Sequence, residues 1–256
     1  MRDGRFSYPR ILEGVEAELR NGTTLRAKIQ EDVNALQNRM IRWLDRFFPE
    51  FTQVFKNFGK MAYAALEKTP LPMDIQGKTP EELLLLYRQV DGMKSPQLPK
   101  AKQLVEVAQS SIGLTEGLVM ARIEIATLLS QYQLMQAQLD ELTAQLIELA
   151  KQMTDYAYLA SVPGIGDVTI VELLSEVGSL TQYEHPRQLI KLAGLTLREN
   201  SSGQHKGKKR ISKRGRRSIV VLCGKLLKIL HTLCKKKVHF DVSQMMKDLY
   251  CLGEAA

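Results

Sequence analysis

Cysteine is scarce in this chain and poorly placed for chemistry. Cys223, Cys234 and Cys251 are odd in number and never spaced as CxxC, which argues against a disulfide framework and against a zinc knuckle. They read as reduced, structural thiols. The four histidines, His185, His205, His231 and His239, are scattered, with no HxxxH and no neighbouring carboxylate pair, so no metal site is expected in the chain. Long hydrophobic runs are missing too. Nothing approaches the roughly eighteen uncharged apolar residues of a membrane span, and "MRDGRFSYPRILEG" lacks the apolar centre of a signal peptide. The reading is a cytosolic protein with no membrane partner.

Excess charge is absent from most of the sequence. Eight of the 36 Lys and Arg fall in the twelve residues from Lys206 to Arg217, and removing those eight leaves 28 bases against 28 acids. The formal net charge of +8 is therefore one local patch, directly after Asn200-Ser201-Ser202-Gly203. Lys206, Lys208, Lys209, Arg210, Lys213, Arg214, Arg216 and Arg217 make a footprint for a polyanion beside a hydroxyl, and the polyanion that fits is nucleic acid. At 256 residues and 44% hydrophobic, the chain has enough apolar material for one elongated or two compact domains.

The apolar periodicity is helical throughout. The opening to about Gly22, broken by Gly4, Pro9 and Gly14, reads as a tail. From Thr23 a stripe of Leu25, Ile29, Val33, Leu36, Met40, Trp43 or Leu44, and Phe47 predicts a long helix capped by Thr23 or Thr24 and stopped by Pro49. Residues 49–100 carry many Pro and Gly and read as an insert of short helices, one of them capped by Thr79 with Pro80 as its first residue. Leu118, Ile125, Tyr132, Leu139, Leu146 and Met153 then recur at intervals of seven, each followed three residues later by Ala121, Leu128, Met135, Leu142, Leu149 and Tyr156. That is an a/d heptad pattern, and its stripe requires a partner. The partner is either the earlier helix folded back antiparallel or, in addition, a second copy, which would make the stalk a homodimer. Residues 23–158 are thus expected to form a coiled-coil stalk, 159–240 a small helical domain and 241–256 a tail. The fold class is mainly all-α.

Chemistry is expected after the stalk. Pro163-Gly164-Ile165-Gly166 lies between two apolar helical segments, the layout of a helix-hairpin-helix element. Glycines let the backbone approach a phosphate, and the amides opening the next helix point at it. Gly164, Ile165 and Gly166 are candidates for gripping duplex backbone without reading bases; the alternative is a glycine-rich corner that only packs. A loop from Gly194 to Arg210 and an amphipathic helix from about Arg216 to Leu233 follow. Ser201 and Ser202 are exposed-loop candidates for a nucleophile, which would need a base and cations to help it. The cations are at hand and the base is not evident; an ordinary loop would look the same.

The run "SVPGIGDVTIVELLSEVGSL…YEHPRQLIKLAGLTLRENSSG…RISKRGRRSI" resembles the C-terminal domain of insertion-sequence transposases of the IS110/IS116/IS902 family. The shared features are PGIG, Glu176-x-Gly178, Ala193-Gly194-Leu195, the Ser-Gly pair and Ile211 to Gly215, in order and spacing, over about Leu159 to Cys234. The resemblance implies a serine that attacks DNA and becomes covalently attached, mapping onto Ser202 with Ser201 second, and a structured guide RNA as partner. Leu197 stands where the family has proline. It also implies a coiled-coil linker and an N-terminal RuvC-like domain whose DEDD acids hold a divalent metal such as Mg. Asp3, Glu13, Glu16 and Glu18 do not assemble such a set, so 1–22 is expected to be a remnant of that domain and the chain to cut poorly alone. DNA binding would make it nucleoid-associated. Two other classes stay open: a non-enzymatic dimeric DNA-binding protein, and an interaction protein whose stalk is its purpose.

Overall fold

The computed structural model describes residues 12–193 and 224–241, and the backbone of 197–198, 201–202, 205–206 and 210–211. Within these, the protein is mainly α-helical. It divides into two compact units, a central one of Lys28–Leu139 and a terminal one of Met1–Ala27 with Asp140–Ala256. The helices α1 (Gly14–Phe47) and α7 (Leu118–Lys151) each give residues to both.

In the central unit the two long helices run antiparallel. Trp43 Nε1 donates to Ala121 O at 3.0 Å, Arg46 pairs with Glu124 at 2.8 Å, and Gln37 Nε2 donates to Tyr132 Oη at 3.3 Å and to Tyr63 Oη at 3.1 Å. Ala121, Ile125, Leu128 and Leu139, all from the heptad pattern, are buried. Five helices lie between the long ones in sequence: α2 (Phe51–Val54), α3 (Lys60–Lys68), α4 (Pro72–Ile75), α5 (Pro80–Arg88) and α6 (Leu98–Gln109). Helix α5 begins as its sequence demands, with Thr79 accepting from Glu82 N at 3.3 Å and Glu82 accepting from Thr79 N at 2.7 Å. The insert extends past residue 100, because α6 runs on to Gln109 and buries Ala101, Leu104 and Ala108 against the same core. Arg122 binds Asp74 through both carboxylate oxygens and so fixes α4 on α7. Gly113 has no room for a Cβ, which would run into the carbonyl of Phe47; the segment after α6 crosses the end of α1 there, with Leu114 N donating to Arg46 O at 2.8 Å.

The terminal unit corrects two expectations. Residues 14–22 are helical rather than a tail: Leu19 is fully buried, Arg20 pairs with Glu176 at 2.6 Å, and Glu16 Oε1 accepts from Ser179 N at 3.1 Å. Their apolar positions are few and interleaved with charges, so the periodicity is faint. Thr23 and Thr24 do not cap; their hydroxyls bond back to Leu19 O and Arg20 O at 2.9 Å, as threonine does inside a helix. The second correction is that the heptad helix stops short. Helix α7 ends at Lys151, Met153 is extended (φ −82°, ψ 133°), and α8 (Thr154–Ala160) begins anew, which keeps Tyr156 and Leu159 in the core.

Helix α9 (Asp167–Val177) follows, then a 3-10 turn (Leu180–Gln182), α10 (Pro186–Leu192) and α11 (Gly224–Lys236). Leu159, Ile170, Leu174, Leu189, Leu227 and Leu230 form their common core. The segment expected to be a loop contains two short antiparallel pairs. Strands β1 (Leu197–Arg198) and β4 (Arg210–Ile211) form one, and β2 (Ser201–Ser202) and β3 (His205–Lys206) the other. The part of the amphipathic helix expected before Gly224, and the tail after 241, lie outside the described residues.

Candidate functional site

The glycine turn is built by the ends of α8 and α9. Ser161 Oγ donates to Tyr158 O at 2.6 Å, Val162 N to Leu159 O at 3.2 Å and Ile165 N to Val162 O at 3.3 Å, which folds the chain back on itself between Tyr158 and Ile165. Gly164 has φ +87°, a region a side chain disfavours, so glycine is required there for conformation. Gly166 is extended (φ −85°, ψ 160°) and ends the turn as the residue before α9. Nothing lies within 4 Å of a Cβ built on either, and both are exposed: the backbone is open to an approaching group.

Asp167, the first residue of α9, complicates that end. Its carboxylate accepts from Tyr156 Oη at 2.8 Å; burial, then the bond to Asp167, pushes the Tyr156 phenol up to about 12. The positive end of the α9 dipole therefore already faces one negative charge, and a phosphate at the turn must share it.

Behind the turn, Asp155 organises the strap that leads towards the serines. Its Oδ2 accepts from Leu180 N at 2.6 Å and Ser179 Oγ at 2.8 Å, and the side chain is buried. Tyr183 Oη donates to Val177 O at 3.0 Å, His231 Nε2 meets Tyr183 O at 2.8 Å, and Lys235 Nζ donates to Thr181 O at 3.0 Å. Residues 179–183 are thus tied to α8, α9 and α11 before the chain enters α10. Burial pushes the Cys234 thiol up to about 12, with the Asp155 charge adding to it, so this cysteine is a packing residue. Asp155→Ala removes a charged acceptor from a buried amide. The expected cost is about 2–4 kcal/mol, read in a denaturant melt, with hydrogen exchange lost first at residues 179–183.

The register sets Ser202 opposite His205 and Ser201 opposite Lys206, while Arg198 stands opposite Arg210. The backbone thus returns the two serine positions directly to the start of the cationic run. Lys208, Lys209, Lys213, Arg214, Arg216 and Arg217 lie outside the described residues. Gly164, Ile165 and Gly166 are brought together in one exposed turn. Sequence reading passed over Asp155, a polar residue placed one turn before a buried Leu and thus readable only with the fold in hand. It also passed over the lysines of α11, whose spacing was visible. Among the described residues no three of His, Cys, Asp and Glu converge on a point that would hold a metal ion, so the divalent metal implied by the resemblance does not fit them. No described helix is long and apolar enough to cross a membrane.

The comparisons with known proteins meet this geometry at the same segment. Residues 156–234 match the model of the transposase IS116/IS110/IS902 family, which shows the resemblance to insertion-sequence transposases across α8 to α11. More narrowly, the chain is 37% identical over 71 residues to the transposase for insertion sequence element IS1111A of Coxiella burnetii (strain RSA 493 / Nine Mile phase I). That alignment covers 28% of this chain and 20% of the relative, so it spans about a fifth of the relative's length.

Proposed function

We propose that this chain acts in transposition of an insertion sequence, binding DNA with its terminal unit and offering Ser202, or Ser201 in second place, for strand transfer. The observation that carries the proposal is the family match, which encloses the open glycine turn, the paired serine strands and the run of eight cations in one segment. The Pro163–Gly166 turn and the cations from Lys206 to Arg217 hold phosphates without reading sequence.

In the proposed step the Ser202 oxygen forms a bond to a backbone phosphorus. One bridging P–O bond breaks, and the released deoxyribose oxygen leaves as a hydroxyl after taking up a proton. The serine proton goes to a base, and the surrounding cations offset the charge gathering on the phosphoryl oxygens. A divalent metal, Mg being the expected ion, would supply Lewis acidity from a RuvC-like domain carrying DEDD acids. A structured guide RNA as selector of the DNA site, and a second copy of the chain on the heptad stripe of α7, belong to the same proposal. A coiled-coil stalk and a helix-hairpin-helix grip by the Pro163–Gly166 turn are further parts of it, and the second reading, a dimeric DNA-binding protein without catalysis, shares all of it but the serine.

The two part at one residue. With a RuvC-like domain supplied in trans, Ser202→Ala should keep duplex binding and lose a denaturant-resistant protein–DNA adduct, while Ser201→Ala keeps both. An adduct lost only in Ser201→Ala moves the nucleophile by one position. Absence of an adduct from the unaltered chain favours the non-catalytic reading.

A further inference from the structure

Helix α11 is amphipathic in an unusual way. Leu227, Leu230, His231 and Cys234 are buried on one side, and the opposite side exposes Lys225, Lys228, Thr232, Lys235 and Lys236. No acid occurs from Gly224 to Phe240. Beside it, Ile190 of α10 lies 3.8 Å from where a Cβ would stand on Gly224, and α10 exposes Arg187 and Lys191, one turn apart. Lys225, Lys228, Lys236, Arg187 and Lys191 have no ion-pair partner among the described residues. Lys235 alone is engaged, through Thr181 O.

A merely solvated face would not look like this. Solubilising surfaces intersperse both signs, and like charges three residues apart on a helix cost a few tenths of a kcal/mol each. Four lysines in one row, with no acid on the helix itself, are matched to a ligand that brings the negative charge. Lys225 and Lys236 are eleven residues apart, about 16 Å along the helix, and one strand of a duplex carries a phosphate about every 3.4 Å of axis. The row therefore spans about five phosphates. Its outer side carries no aromatic residue on which an unpaired base would stack, which favours a duplex over a single strand.

From this placement we infer that the outer face of α11, flanked by Arg187 and Lys191 of α10, is a binding surface for the phosphate backbone of double-stranded DNA, in addition to the cations of the Lys206–Arg217 run. The inference rests on the DNA-binding reading and adds to it a surface built on two helices packed into the core of the terminal unit.

The test is the Lys225→Gln, Lys228→Gln, Lys236→Gln chain, titrated with a mixed-sequence DNA duplex at several salt concentrations beside the unaltered chain. The slope of log K against log salt should shrink by about two to three, and affinity at moderate salt should fall at least tenfold. The matching triple Arg chain should bind like the unaltered one, which separates charge from folding. A triple Gln chain with the unaltered slope overturns the inference while leaving DNA binding by the basic run in place. Loss confined to an RNA duplex overturns the assignment to DNA. Absence of salt-dependent binding by the unaltered chain sinks the DNA reading itself.

Discussion

Trp43→Ala is expected to cost the central unit about 3–5 kcal/mol, the range for deleting a large buried aromatic. The side chain is fully buried, its ring centre is 5.1 Å from that of Phe47, and its indole N–H is the partner of the Ala121 carbonyl. Removing it leaves a cavity where α1 meets α7 and takes away the second hydrogen bond of a helix carbonyl, two separate penalties. Trp43→Phe should retain most of the packing and lose the hydrogen bond, costing about 1–2 kcal/mol. Because Trp43 is the single tryptophan, its fluorescence reports this core in the unaltered chain, and circular dichroism must replace it in the variants. Hydrogen exchange should show the loss in residues 28–139, with α8 to α10 still protected. A cost below about 1 kcal/mol would mean that the α1–α7 packing is not what holds the central unit together.

Neutralising all eight cations from Lys206 to Arg217 with glutamine is expected to weaken duplex DNA binding at least about a hundredfold near 0.1 M salt. Each cation that meets a phosphate releases about 0.9 of a counterion, so the run can contribute up to about seven to the salt slope. The same change brings the formal net charge from +8 to zero, and acids and bases then balance across the sequence. Thermal stability should stay within about a degree or two, since no apolar side chain is removed by the change. Affinity that survives the change would move the binding surface to α11 and the glycine turn.

Much of this was legible in the sequence, for physical reasons that differ by element. The heptad positions of α7 announced themselves because seven-residue recurrence survives any choice of polar residues between them, and Thr79 with Pro80 announced α5 because a cap needs specific atoms. The PGIG turn was legible because few residues besides glycine tolerate the backbone found at Gly164. The start of α1 was not, since Leu19 is one buried residue among charges and its partners, Leu146 and α9, are over a hundred residues away. The break at Met153 was hidden because the apolar spacing continues through it. Local pattern carries no record of where a helix must bend to keep that pattern buried. Asp155 was invisible for the same reason: its amide partner, Leu180, is 25 residues distant and comes near only once α8 and α9 have packed.

The most direct test of the account is the affinity of the whole chain for a DNA duplex of mixed sequence, measured across a range of salt. The account predicts tight binding at low salt that falls steeply and linearly in log–log form, with a slope of at least about −6, and little preference among sequences. Undetectable binding at low salt, or an affinity indifferent to salt, would contradict it and leave the basic run and the open glycine turn without the partner on which the proposal depends.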